Sequence, residues 1–142
     1  MSLLRVMDIG ASGLTAQRIR MQVVSANLAN AETTRTAEGG PYRRRVVLFE
    51  AAPGDPAEFS SALSRELRGV RVRAVDLDDA PPVLRFQPGH PDADARGYVA
   101  YPNIRMPAEM ADLMSAVRSY QASLTVVQSV RTLFRQTLDL LR

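Results

Sequence analysis

His90 is the only histidine in 142 residues, so imidazole chemistry has a single candidate. A serine partner for it would stand on an elbow such as G-x-S-x-G, and the sequence has none. Pro88-Gly89-His90-Pro91 instead reads as a tight turn. Asp92-Ala93-Asp94-Ala95-Arg96-Gly97 imitates the start of a calcium loop. Arg96 at its fifth position and Asn103 at its twelfth put a cation and an amide where ligands belong. Asp92 and Asp94 are therefore expected to cap backbone amides in a turn. Asp76, Asp78 and Asp79 could hold a metal only with help, and with no histidine near them they read as a solvated strand end. Arg43-Arg44-Arg45 could touch phosphate, but the run is short and the net charge is only +3. The chain has no cysteine, and all eighteen basic residues are arginine. Thiol nucleophiles, Schiff bases and the lysine of a phosphate loop are thereby excluded. No G-x-G-x-x-G is present. We expect no enzyme, no cofactor, no metal and no small-molecule substrate.

The elements that carry these residues differ in texture. From Leu3 to about Ala31 there is no proline, and Met7, Leu14, Met21 and Leu28 fall seven apart. That spacing predicts a long amphipathic helix, about 43 Å at 1.5 Å per residue. Gly10, Ala11, Ser12 and Gly13 form a small-residue patch where another backbone could approach closely. Asn27 and Asn30, followed by Glu32-Thr33-Thr34, mark its end.

Eight of the nine prolines lie between Pro41 and Pro102, so the middle of the chain cannot continue that helix. Short β-type runs stand between the turn signals: Arg45–Phe49, Val70–Val75 with valine alternating against arginine, Val83–Phe86 and Gly97–Tyr101. Ala57 to Leu67 reads as a short helical turn or a mobile stretch.

From Pro107 the helical period returns. Proline suits a first helical turn, and Glu109 complements the helix dipole there. Met110, Leu113, Val117, Tyr120, Leu124, Val127, Arg131, Phe134, Leu138 and Leu141 alternate three and four apart. Nine of these ten are apolar, which is the pattern of a coiled-coil seam. Val126, Val130, Leu133 and Leu140 flank it, and a helix apolar on more than one stripe needs more than one neighbour. One chain of this length cannot supply them all. The expected fold is α+β: residues 1–34 and 105–142 form a discontinuous helical assembly domain, and residues 35–104 a small β-rich insert.

A 46% hydrophobic share and a mean hydropathy of −0.13 fit a folded domain, and no run is long enough to span a membrane. The pI of 9.9 mostly reflects arginine, a weak sign of nucleic acid. Met1 to Gly10 carries Arg5 and Asp8 where a cleavable signal peptide needs an unbroken apolar stretch. The chain is therefore expected to be cytosolic, or exported by a route that reads no such signal.

Ser25-Ala26-Asn27-Leu28-Ala29-Asn30-Ala31-Glu32-Thr33 resembles the N-terminal signature of flagellar rod and hook axial proteins. Ser119-Tyr120-Gln121-Ala122 resembles the C-terminal signature of the same family, with Ser123 standing where asparagine is common. Pro88 to Val99, followed by Pro102-Asn103-Ile104, is similar to a stretch particular to one proximal-rod member. The resemblance implies a structural subunit of the periplasm-spanning rod in the basal body. It implies export unfolded through the flagellar type III apparatus, and partners among other rod proteins and copies of the chain itself. Terminal helices would form an inner coiled-coil layer, with the β insert outside it. Asn27, Asn30 and Tyr120 would then face an interface, together with Met7, Leu14, Met21, Leu28, Leu113, Val117, Leu124, Val127, Phe134 and Leu138. Local capping and packing within one subunit is the alternative for the two asparagines and the tyrosine. A non-polymerising coiled-coil adaptor and an arginine-based nucleic-acid binder are the other readings of the chain.

Overall fold

The computed structural model describes residues 3–53 and 68–140, so the expectation for Ala57–Leu67 lies outside the described residues. Helix α1 spans Leu3–Ala29 and helix α2 spans Met106–Leu140. Between them lie β1 (Arg45–Ala51), β2 (Val70–Leu77), β3 (Val83–Phe86) and β4 (Tyr98–Tyr101). The α+β class and the four strand positions agree with the sequence reading.

Asn30 ends α1. Its N–H and its side-chain Nδ2 both donate to the Ala26 carbonyl, at 3.1 and 2.9 Å, and Ala31 N–H tightens onto the Leu28 carbonyl. At the other end, the Arg105 carbonyl accepts from the N–H groups of Ala108 and Glu109 and opens α2. Pro107 sits in that first turn, where its missing N–H has no partner to lose.

The two helices pair antiparallel. Gly10 lies against Val127, Gly13 against Ser123, Arg20 pairs with Asp112, and Asn27 meets Glu109. The small-residue patch of α1 is thus filled by α2 of the same chain. A Cβ on Gly10 would sit 2.7 Å from Val127 Cγ2, so the closeness of the helices depends on this glycine.

The line that α2 buries only partly follows the expected seam: Leu113, Val117, Tyr120 and Val127 of the seam are half-buried. Glu109, Ala116 and Val130 are buried and Ser123 and Val127 half-buried, whereas Met110 and Leu124 are exposed. One residue of helix is about 100° of rotation. With glycine on one side, a close crossing takes small side chains on the other, and the large apolar ones turn outward. Val130, expected on an unpartnered flank, is one of the residues enclosed here.

Strands β1 and β2 form an antiparallel hairpin packed on α1, with the register shifting at Leu48/Phe49 so that Arg73 is passed over. Arg45 meets Asn27 at one end, and at the other Val70 N–H donates to Ser12 Oγ at 3.1 Å. The fifteen helical steps from Ser12 to Asn27 span about 22 Å, close to the length of a seven-residue strand. Val70, Val72 and Ala74 turn toward the interior and Arg71 and Arg73 outward. Strands β3 and β4 make a second antiparallel hairpin that pairs with neither β1 nor β2. Val99 and Tyr101 of β4 are buried, while all four residues of β3 are exposed.

Candidate assembly surface

Four segments meet at one buried carboxylate. Glu109 is 1% exposed; Asn27 Nδ2 donates to its Oε2 at 3.0 Å and Arg44 Nε donates to its Oε1 at 2.7 Å. Arg44 reaches on to Asp78 Oδ2 at 3.3 Å, at the end of β2. Partial burial opposes the Arg44 charge, but hydrogen bonds and charges from Glu109 and then Asp78 raise the guanidinium above its usual range. Burial likewise raises the Tyr42 phenol, with Arg45 opposing and Glu109 adding to it.

Asn27 is the centre of this arrangement. Besides serving Glu109, its Nδ2 donates to the Arg45 carbonyl, and its Oδ1 accepts from Arg45 N–H and the Tyr42 hydroxyl. Its side chain is 0% exposed in the single chain, where its partners are internal. Asn30 is half-buried and caps its own helix, and its Oδ1 accepts from Thr33 Oγ1. That is the local alternative weighed for it. Nothing near Glu109 in the sequence announces burial. A glutamate in a first helical turn reads as a dipole partner, and only the fold brings Asn27 and Arg44 to it.

The arginine run has internal partners too: Arg43 pairs with Asp79 at 2.8 Å, and Arg45 lies over the Tyr42 ring. Asp78, expected to be solvated, is held below the usual carboxylate range. The Ala80 N–H bond is the main cause, burial opposes it, and Arg44 and Arg43 assist. Asp94 caps its turn as expected, accepting from Arg96 and Tyr98 N–H groups at 2.8 and 2.9 Å. Asp92 instead accepts from Thr34 Oγ1 at 2.8 Å and joins this loop to the chain beyond α1. His90 Nδ1 accepts from Asp92 N–H inside the same turn.

Of the remaining candidates, Met7, Leu14, Met21, Leu28, Leu113, Val117, Tyr120 and Val127 are half-buried. Leu124, Phe134 and Leu138 are exposed, as are Met110, Met114, Val126 and Leu133. These side chains leave α2 with exposed apolar residues along most of its length. Among the described residues nothing covers it, and no helix is long and apolar enough to cross a membrane.

Residues 7–35 match the family described as "Flagella basal body rod protein", and residues 95–140 match "Flagellar basal body rod FlgEFG protein C-terminal". Over its whole length the chain is similar to curated relatives named "Flagellar basal-body rod protein FlgC". It is 38% identical to that of Borreliella burgdorferi, covering 100% of this chain and 99% of the relative. It is 43% identical to that of Yersinia enterocolitica over 99% and 98%, and 39% identical to that of Bacillus subtilis over 94% and 95%.

Proposed function

The chain belongs to the flagellar basal-body rod protein family, of the FlgC type, and on that premise we propose that it polymerises through the exposed apolar residues of α2. It is a structural subunit of the basal-body rod and not an enzyme. The observation that carries the polymerisation reading is the exposed apolar surface of α2, from Met110 and Met114 through Leu124 to Phe134 and Leu138. A monomer rarely leaves so long an apolar surface in water, and a rod offers each subunit neighbours on several sides. The partners are further copies of the chain and other rod proteins, seated helix against helix. Packed side chains at those contacts would carry torque from one subunit to the next. Export through the flagellar type III apparatus goes with this reading of the chain as a rod subunit.

Phe134→Asp and Leu138→Asp test this surface. Both positions are exposed in the single chain, so the purified variants should melt within a few degrees of the parent. Export should continue, while complete basal bodies fail to form because the carboxylates would be buried against apolar neighbours. Gln128→Asp, at an exposed polar position, should assemble. Normal swimming by both apolar-site variants would overturn the assignment of this surface.

A further inference from the structure

Among the described residues, both hairpins leave one strand edge without hydrogen-bond partners, and the two edges fit each other. Asp78 N–H donates to the Arg44 carbonyl at 2.8 Å, continuing the β1–β2 ladder by one hydrogen-bonded pair. Such pairs alternate along an antiparallel ladder, so they fall at Val46/Asp76 and Leu48/Ala74. The backbone groups of Val75 and Leu77 therefore point away from β1. The same alternation holds in the second hairpin. Gln87 N–H donates to the Gly97 carbonyl at 2.8 Å, which places hydrogen-bonded pairs at Arg85/Val99 and Val83/Tyr101. The backbone groups of Leu84 and Phe86 then point away from β4.

These four residues are also among the exposed large apolar ones: Val75 43%, Leu77 50%, Leu84 63% and Phe86 64%. Each sheet has only two strands, and a third strand is the usual way such a sheet gains stability. We propose that β3 of one copy adds antiparallel to the β2 edge of a second copy. Leu84 stands opposite Leu77, Phe86 opposite Val75 and Arg85 opposite Asp76.

Two independent requirements select this register. Backbone parity requires the outward-facing residues of one edge to meet those of the other, which Leu84/Leu77 and Phe86/Val75 satisfy. Charge then separates this register from its two neighbours: two residues one way Arg85 would face Ala74, and two residues the other way it would face Asp78, whose carboxylate Arg44 already holds. Arg85 and Asp76 have no ion-pair partner among the described residues; Arg85 lies over the Tyr101 ring at 4.6 Å. They would form the non-hydrogen-bonded pair, where side chains approach most closely.

The partner is a second copy because within one chain β2 and β3 lie in separate sheets and do not pair. The connection carries Pro81 and Pro82, and Asn103 Nδ2 anchors it by donating to the Pro81 carbonyl at 3.1 Å. Ala80 N–H is tied to Asp78 Oδ1 at the other end. The two edges differ, so the contact runs head to tail and can propagate.

The proposal rests on the rod reading, and the test separates the two. The chain has no cysteine, so Asp76→Cys and Arg85→Cys can be placed in separate, differently tagged copies and co-expressed. Mild oxidation of isolated basal bodies should link the two variants into a mixed dimer, with neither variant alone forming one. Asp76→Arg should reduce swimming, and adding Arg85→Asp should restore it. Basal bodies that contain both variants yet give no mixed dimer would overturn the strand pairing and leave the rod reading intact. A link only within the Asp76→Cys/Arg85→Cys double variant, running as monomer, would overturn it in favour of closure inside one chain. Basal bodies that lack the chain altogether would overturn both readings.

Discussion

Asn27 and Glu109, 82 residues apart in sequence, meet at 3.0 Å and are both fully enclosed. The amide donates to the carboxylate, and in doing so sets the register of α1 against α2. A shift of one helical turn would leave a buried carboxylate facing apolar side chains, which costs several kcal/mol. The polar pair therefore specifies how the helices align, while apolar contacts supply most of the attraction.

Asn27→Asp replaces the donor with a second carboxylate beside Glu109, and Asn27→Ala leaves Glu109 and Arg45 N–H each short of a partner. Asn27→Ala is expected to cost about 2–4 kcal/mol, from a buried acceptor and donor left unsatisfied. Asn27→Asp should cost more, since like charges would meet in a buried site. Urea unfolding followed by circular dichroism checks both, and equal stability of the two variants would show that Glu109 is not held as described.

Gly10→Ala brings a methyl group to 2.7 Å from Val127 Cγ2. Alanine gains about 1 kcal/mol of helix propensity, and overpacking typically costs about 1–3 kcal/mol, so a net loss is expected. In a Val127→Ala background the clash is gone, and Gly10→Ala should become neutral or stabilising. A thermal-melt double-mutant cycle reads the coupling directly. Val127→Asp is then expected to break the pairing of α1 with α2 in the free monomer, before any assembly is attempted.

The turn around Asp94 should weaken in acid. The Tyr98 N–H bond holds the Asp94 carboxyl below its ordinary 3.8, burial opposes this slightly, and Arg96 assists. A carboxylate with a depressed folded pKa contributes fully above its unfolded pKa, and the contribution fades as pH falls through the folded value. Amide exchange at Arg96 and Tyr98 should therefore report a looser turn below about pH 4. Asp94→Asn keeps an acceptor oxygen in place and should abolish that pH dependence. A parent turn that opens with the same pH profile as Asp94→Asn would refute the capping role.

What the sequence determined by itself were the periodic features. A helix repeats every 3.6 residues and a strand every two, so Leu3–Ala29, Met106–Leu140 and the four strands were legible from spacing and from where proline and glycine fall. The turn at His90 was legible for the same reason, because Pro-Gly-His-Pro restricts the backbone locally. The family signatures at both ends were legible as residue strings. Which stripe of α2 turns inward was not. Spacing marks Met110, Leu124, Val127 and Phe134 as one apolar line, but the close approach at Gly10 and Gly13 draws in Val127 together with the smaller Ala116 and Ser123 and leaves Met110 and Leu124 exposed. Large side chains would hold the helices apart, so they stay outside, where a rod can use them. Nor could the sequence show Asn27, Arg44, Asp78 and Glu109 as one network. Four residues on four segments have no common period, and their charges and amides become partners only when tertiary packing removes the water between them.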